Sequence, residues 1–186
     1  MKQTAPGMEV YAIKVTLLRT RPVVWRRILV PGDITFRQLH RTLQTVMGWT
    51  DSHLHQFALP RQKFAGASYG VGTKVGNESR TALGQLIWTV GARLQYEYDF
   101  GDGWQHELVL EQILLGDESF QQMCVAGARC CPPEDCGGPQ GFADLIEALG
   151  DANHAGHEEV CEWLGDFVPE SFSVEDINRK LRRRKG

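Results

Sequence analysis

The chain has 186 residues, of which 42% are hydrophobic and 23% are charged. This composition is that of a soluble globular protein with one sizeable core, and it excludes a fibre, a wholly disordered chain and a bundle of membrane helices. The formal net charge is −3, but residues 1–96 carry a balance of +9, residues 97–170 one of −16 and residues 171–186 one of +4. We expect the two halves either to neutralise each other within one fold or to serve separate partners.

The sequence indicates a cytoplasmic protein. No segment approaches the roughly 20 consecutive apolar residues of a membrane span, and the start MKQTAPGMEV lacks the apolar core of a signal peptide. The chain has five cysteines, an odd number, and four of them lie within 13 positions. This crowding favours reduced thiols over a disulfide framework.

Two strands are predicted at the start of the chain. Apolar residues alternate with polar ones from Val10 to Thr20, which is the period of two of a half-buried strand. The apolar run from Val23 to Val30 can return as its antiparallel partner in a hairpin. Within this run Arg26 and Arg27 are adjacent, which predicts one charge on each face of the strand or a bulge.

A helix is predicted over residues 36–47. Thr35 and Gln38 have the spacing of a capping box, and Gly48 occupies the position of a C-cap. One apolar stripe runs along this segment. The opposite, polar face is expected to carry Arg37, His40 and Arg41.

The middle of the chain predicts further strands. The segments are, in order, a short strand over 53–59, a loop or irregular insert over 61–80, a short helix over 81–88 and a strand over 93–100. Gly101-Asp102-Gly103 supplies a tight turn, and residues 104–110 return as an antiparallel partner.

The last third predicts a Cys/Pro/Gly-rich structured loop over 123–141 and then three helices, the last opened by Ser173 and Asp176 at the spacing of a capping box. The fold class is therefore α+β, with a mixed or antiparallel sheet of about five strands, one long helix on a face and C-terminal helices. We expect a single domain over 1–186. Its parts are a sheet with the main helix (8–115), a loop plus helical part (116–180) and a basic tail (181–186).

The predicted hairpin turn is the first candidate site. Asp99 and Asp102 flank a glycine turn, and Trp104 and His106 follow on the next strand. Two carboxylates with an imidazole and an indole can bind a cation or a polar ligand, or share a proton. Alternatively, the aspartates set the turn by accepting backbone hydrogen bonds, and Trp104 fills the core.

His53 and His55 are the second candidate. They lie two positions apart, so on a strand they would share one face, a spacing that suits a metal pair. Single histidines are nonetheless more often satisfied by hydrogen bonds than by metals. If their strand pairs near the 93–110 hairpin, these histidines, His106 and the two turn aspartates can converge.

A cysteine cluster with the spacing C-x5-C-C-x4-C is the third candidate. Structural zinc takes four ligands, usually from C-x2–4-C knuckles, and the spacing here fits that pattern poorly. A zinc site would use Cys124, Cys131, Cys136 and His157, with Cys130 or His154 as alternative ligands. The competing interpretation is a set of buried or idle thiols.

Pro132-Pro133-Glu134-Asp135 lies within the cysteine-rich stretch. The two prolines stiffen a loop. Glu134 or Asp135 can then bind a ligand, cap the helix that follows Gly141, or form a salt bridge with a basic residue of the first half.

The end of the chain is basic, with six Lys or Arg in the seven residues Arg179–Lys185. This tail can contact the phosphates of a nucleic acid by a nonspecific, salt-sensitive attraction. A solvated helix end whose cations favour the C-terminal dipole is the alternative.

Three motifs occur in order: VVWRRILVPGDITFRQLHRTLQTVMGW with HLHQF, then YEYDFGDGWQHEL, then CVAGARCCPPEDCGG. Together they resemble the ORF-three-like family first noted on a root-inducing plasmid, over roughly residues 10–180. Some relatives are labelled passenger or TnpR-like proteins of insertion elements. The resemblance implies a one-domain α+β fold and no particular activity. The family pattern matches Cys124 and Cys131, whereas Cys130 and Cys136 are particular to this chain, which weakens a four-cysteine site.

Three functions follow from these features. The leading hypothesis is a binding or accessory module linked to plasmids or mobile elements, with a polar site near Asp99–His106 and room for a protein partner. A metal-dependent hydrolytic enzyme would use the same hairpin, His53 or His55, and Glu134 or Asp135, with zinc as its candidate cofactor. A nucleic-acid-binding accessory protein would use the basic first half and the tail. A serine recombinase is disfavoured, because the first serine is Ser52. We favour a binding protein over an enzyme and expect no membrane partner.

Overall fold

Two antiparallel hairpins organise the sheet of this protein, seen in a computed structural model that describes residues 7–59, 62–65, 75–87 and 89–183. The described residues contain eight strands: β1 (Met8–Leu17), β2 (Trp25–Pro31), β3 (His55–Leu59), β4 (Gln62–Ala65), β5 (Val75–Asn77), β6 (Arg93–Tyr98), β7 (Trp104–Gly116) and β8 (Met123–Ala128). Their order in the sheet is β5-β4-β3-β6-β7-β1-β2-β8. The β4–β5 pair is parallel and the other pairs are antiparallel, so the sheet is mixed.

The helices are α1 (Phe36–Met47), α2 (Gly138–Gly150), α3 (His157–Leu164) and α4 (Val174–Arg183), with a short 3-10 helix at Leu83–Gln85. The predicted capping box of α1 is present, and Gly48 ends the helix in the left-handed conformation at φ +90°. Among the described residues, no helix has both the length and the apolar character that a membrane crossing requires.

Helix α1 packs against one face of the sheet. Its Phe36 ring meets Phe57 of β3 edge-on, with ring centroids 5.1 Å apart. Its Gln44 side chain donates a hydrogen bond to the hydroxyl of Tyr96 on β6, and its Val46 carbonyl accepts one from Arg26 on β2. The helix therefore contacts strands from both halves of the sheet, β3 and β6 on one side and β2 on the other.

The predicted α+β class is confirmed, but the sheet is larger than the five strands expected. β4 and β5 lie inside the predicted loop over 61–80, and β8 lies inside the predicted loop over 123–141. These strands are short, and β8 forms its hydrogen bonds with β2, which is distant in the sequence. The periodicity of a local segment does not reveal such pairings. The remainder of the predicted insert, 66–74, and the end of the predicted helix at Trp88 lie outside the described residues.

The basic and acidic halves of the sequence share this sheet. β1 of the basic half lies between β2 and β7, and β7 belongs to the acidic half. Two ion pairs join the halves directly, Arg27 with Glu111 and Arg93 with Glu107, each at 2.6 Å. Part of the charge asymmetry is therefore neutralised inside the fold.

The predicted boundary of the basic tail at residue 181 falls inside α4. Leu181 is buried, and the side chain of Asn178 both accepts from the Cys124 amide and donates to its carbonyl, each at 2.8 Å. Because these contacts dock α4 on β8, the basic residues up to Arg183 belong to a packed helix. Residues 184–186 lie outside the described part of the chain.

Candidate functional site

Three segments that are distant in the sequence meet at one end of the sheet. They are the connection from α1 to β3, the turn between β6 and β7, and the loop before α2. The register explains the first meeting, because His55 of β3 pairs with Tyr98 of β6 and the Asp99 amide donates to the Leu54 carbonyl at 2.9 Å. β3 therefore pairs with the 93–110 hairpin, which was the condition for the five predicted residues to converge, but of these only His53 and Asp99 come together.

One residue from each segment contributes to what we call the His53 cluster: His53, Asp99 and Asp135. Nε2 of His53 lies 3.2 Å from Asp135 Oδ1 and 3.8 Å from Asp99 Oδ2. One ligand atom of each residue lies within 4.8 Å of the other two. The buried His53 nitrogen makes no well-aligned hydrogen bond to either carboxylate, so it points between them.

Asp99 sets the hairpin turn, which is one of the two roles that the sequence suggested for it. Its Oδ1 accepts from the amides of Gly101 at 2.9 Å and Asp102 at 3.4 Å, which sets the turn. Its Oδ2 is left to face His53. Asp99 and Asp135 have positive φ angles of +55° and +58°, a conformation that aspartate and asparagine tolerate better than most residues.

Glu134 holds the loop in place beside the cluster. Its carboxylate accepts hydrogen bonds from the hydroxyls of Thr50 and Tyr98, and the Trp49 indole donates to the Pro132 carbonyl at 2.9 Å. Burial, together with this carboxylate, raises the pKa of Tyr98 well above its usual value. Glu134 therefore positions Asp135, and neither acid caps α2, whose cap residue is Gly137.

Trp104 and His106 lie in the core, away from the His53 cluster. Their exposed fractions are 1% and 0%, and the Trp104 indole nitrogen and His106 Nε2 are buried with no hydrogen-bond partner among the described residues. His106 Nδ1 faces the Tyr96 carbonyl at 3.3 Å. The interpretation of Trp104 as core filling is supported. Asp102 sits at the turn, and its buried Oδ2 likewise finds no partner in the part of the chain that the structure describes.

His106 makes the fold sensitive to acid. Burial lowers its pKa from 6.5 to about 4, so the ring stays neutral in the folded chain while the unfolded chain takes up a proton near pH 6.5. Stability should therefore fall as the pH drops from 6.5 towards 4, by about 3 kcal/mol from this residue. For His106→Gln, urea unfolding at several pH values should show that the free energy of unfolding falls less steeply between pH 6.5 and pH 4 than in the unmodified chain. Equal pH slopes for the two proteins would contradict the assignment.

His55 is not part of the His53 cluster. His53 lies in a bend before β3, so the two histidines do not share the strand face that was predicted for them. His55 belongs instead to a second group. The His55 ring stacks on His40 of α1, with centroids 3.5 Å apart and planes within 4°. His55 Nε2 meets Glu78 Oε2 at 2.9 Å, and His40 Nε2 meets Asp51 Oδ1 at 2.6 Å. We call His40, His55, Asp51 and Glu78 the histidine-pair group.

Sequence reasoning missed His40, Asp51 and Glu78. His40 was expected on the polar face of α1, yet it is only 3% exposed. It follows the core residue Leu39 and lies one turn before Gln44, which is also buried. Two polar residues at the spacing i, i+4 beside an apolar stripe are the signal that was available.

The predicted zinc ligands Cys124, Cys131, Cys136 and His157 do not converge among the described residues. Cys131 Sγ lies 3.2 Å from the sulfur of Met47, and His157 Nδ1 meets the Ala148 carbonyl at 2.8 Å. Burial raises the pKa of the Cys131 and Cys136 thiols to about 12, with nearby Asp102 adding to the shift for Cys136. The described cysteines are all free.

At the basic end of α4, the side chains of Lys180, Arg182 and Arg183 are exposed. Arg179 forms an ion pair with Asp176 at 2.5 Å. These cations also lie in the last turn of the helix, where the dipole favours them. A nucleic-acid or protein partner for this end stays a prediction.

Comparisons with known proteins agree with this architecture. A family model described as plasmid pRiA4b ORF-3-like protein matches residues 9–176. The uncharacterized protein y4hQ of Sinorhizobium fredii is 36% identical over 185 residues, covering 94% of this chain and 95% of its own. The crystal structure of a protein of unknown function, MM3350 from Methanosarcina mazei Go1, is similar with a TM-score of 0.83 and 36% identity, covering 91% of this chain and 98% of its own. The chain therefore belongs to the plasmid pRiA4b ORF-3-like family.

Proposed function

We propose that this protein is an accessory binding module that holds a divalent metal ion at the His53 cluster. The observation that carries the proposal is the convergence of one ligand atom from each of three separate motifs within 4.8 Å. HLHQF supplies His53, YEYDFGD supplies Asp99 and CPPED supplies Asp135. His53 Nε2 is buried between the two carboxylates without a hydrogen-bond partner among the described residues, and a bound cation would supply one.

The donor set indicates which ion the cluster would take. Two carboxylates and one imidazole suit Mn²⁺ or Zn²⁺ better than the soft Cu⁺ ion. The Asp135 side chain is 73% exposed, whereas that of Asp99 is 10% exposed, so one side of the cluster is open to solvent. The open side leaves coordination positions for water or for an anionic ligand. Hydrolysis by such a metal-bound water is the alternative enzymatic form of this proposal.

The cytoplasm is the compartment that we propose. Five cysteines are free in the structure, and four of them lie close together in the sequence. Free thiols persist in the reducing cytosol and tend to oxidise outside it. A reducing compartment also suits a module of a plasmid-related family that acts inside its host cell.

The site is tested by titrating the chelator-treated full chain with Mn²⁺ in a calorimeter. Asp135→Asn should weaken Mn²⁺ binding by about tenfold or more, and asparagine accepts the positive φ of this position. Asp166→Asn, at an exposed aspartate outside the cluster, is the matched control and should bind as the unmodified chain does. Equal Mn²⁺ affinities for all three proteins, or no Mn²⁺ binding by the unmodified chain, would refute the proposal.

A further inference from the structure

The histidine-pair group is built unlike an ordinary pair of surface ion contacts. His40 is 3% and Glu78 6% exposed, and the side chain of His55 is 10% exposed. Ligand atoms of His40, His55 and Asp51 lie within 4.8 Å of one another, and Glu78 reaches His55 from the other side. Burying three ionisable groups, His40, His55 and Glu78, is costly unless they are paired or coordinate a metal.

Tyr96 orients the ring of His40. The Tyr96 hydroxyl lies 2.8 Å from His40 Nδ1 and also accepts a hydrogen bond from the Gln44 amide at 3.0 Å. Without an ion, Nε2 donates to the Asp51 carboxylate at 2.6 Å and Nδ1 accepts from the Tyr96 hydroxyl. With an ion on Nε2, the ring proton would move to Nδ1 and be donated to that hydroxyl. Metal-ligating histidines are held in this way by a partner on their second nitrogen.

The donor set of the group suits a cation. Asp51 Oδ1 lies 2.6 Å from His40 Nε2, and Glu78 Oε2 lies 2.9 Å from His55 Nε2. Two carboxylates and two imidazoles therefore meet in one mostly buried place, and they are donors that a divalent ion accepts.

An ion can reach the group from solvent. Asp51 lines a cleft of about 680 Å³ along α1, whose walls include Gln38, Arg41, Thr45 and Gln122. The side chain of Asp51 is 39% exposed, so it connects the buried histidines with this cleft. A ligand in the cleft would contact a bound ion through its open coordination positions.

We propose that His40, His55 and Asp51, with Glu78 as a further carboxylate, form a second metal site that takes a divalent transition metal ion of the zinc or iron class. Two imidazoles and a carboxylate are the donors that such ions prefer. The site is separate from the His53 cluster, with which it shares no ligand. The stacked rings must tilt for both Nε2 atoms to face one ion, and each ring proton then moves to Nδ1.

A purely structural network of two histidine–carboxylate pairs is the competing explanation, and Co²⁺ distinguishes the two. The chelator-treated full chain should bind Co²⁺ with the visible absorption of a nitrogen- and oxygen-ligated ion. Asp51→Asn should lose this signal, and the change suits the position, since asparagine tolerates its φ of +66°. Tyr96→Phe should weaken Co²⁺ binding by about 10–100-fold through loss of the ring orientation. Tyr11→Phe, at another buried tyrosine whose hydroxyl donates to Glu9, is its matched control and should leave binding unchanged.

The two metal proposals fail separately. Asp135→Asn should keep the Co²⁺ absorption of the histidine-pair group, and Asp51→Asn should keep Mn²⁺ binding at the His53 cluster. Circular dichroism of each variant establishes that it is folded before titration. An identical Co²⁺ spectrum and affinity in Asp51→Asn and the unmodified chain would overturn this second site. A thiolate-to-cobalt charge-transfer band would also overturn it, because the ion would then lie on the cysteines.

Discussion

Arg26→Met should lower the free energy of unfolding by about 4 kcal/mol, the range expected when one partner of a buried charged network is removed. Arg26 is 3% exposed. Its guanidinium donates to the carbonyls of Val46, Ala128 and Arg129 at 2.8 to 2.9 Å. Methionine fills a similar length but leaves the buried Val46 carbonyl and the partly buried carbonyls of Ala128 and Arg129 without the guanidinium. Each buried carbonyl left unpaired costs about 1–3 kcal/mol.

The neighbouring arginine provides the control for this experiment. Arg27 lies on the other face of β2, where it pairs with Glu111 and its side chain is 36% exposed. Arg27→Met should therefore cost about 1 kcal/mol or less. Urea unfolding of the two variants measures the difference directly. If both substitutions lower the stability by the same amount, Arg26 does not hold α1 to β2 and β8 as described.

Arg26 also illustrates how far the sequence could predict the fold. Adjacent arginines predicted one charge on each face or a bulge, and both features are present, since the register with β8 shifts between Arg27 and Ile28. Helix α1 was predicted with its correct ends because its capping residues are local. β8 was not, because its partner β2 lies about a hundred residues earlier and no local pattern encodes that pairing.

The candidate site was predictable to a similar degree. His53, Asp99 and Asp135 were all identified from residue type and turn chemistry. The β3–β6 pairing brings His53 and Asp99 together, and the contacts of Glu134 add Asp135. Trp104 and His106 lie on the same face of β7 as the core residues Leu108 and Leu110, so the period of two already indicated that they face the core. The burial of His40 depends on His55 and Tyr96, which strands from elsewhere in the chain place over α1. Within the helix itself, the spacing from Gln44 is its local signal.

The two candidate metal sites are linked by one continuous set of contacts. Asp51 belongs to the histidine-pair group, and Thr50 and Ser52 on either side of it bond to Glu134 and the Tyr98 hydroxyl. Glu134 in turn precedes Asp135 of the His53 cluster. The connection from α1 to β3 therefore contributes to the position of both groups.

Gly138→Ala should disrupt the fold and the His53 cluster together. A Cβ at Gly138 would lie 2.3 Å from the Asp102 carbonyl oxygen, and the residue has a φ of +70°. The left-handed conformation costs alanine about 1–2 kcal/mol, and relieving the overlap adds roughly 1–3 kcal/mol. The clash is with backbone, so the loop carrying Asp135 must move away from the turn carrying Asp99. We therefore expect Mn²⁺ affinity to fall by about tenfold or more even in molecules that remain folded.

The same substitution at the other end of α2 provides the control. A Cβ at Gly150 would meet no atom of the described residues within 4 Å, and the φ of Gly150 is not positive. Gly150→Ala should therefore leave both stability and Mn²⁺ binding close to those of the unmodified chain. Urea unfolding and Mn²⁺ calorimetry on the two variants separate the effects. Loss of stability with unchanged Mn²⁺ affinity in Gly138→Ala would mean that the close approach of the two loops serves the fold alone. Loss of both stability and Mn²⁺ affinity means that Gly138, at the start of α2, allows the loop to bring Asp135 close to the hairpin.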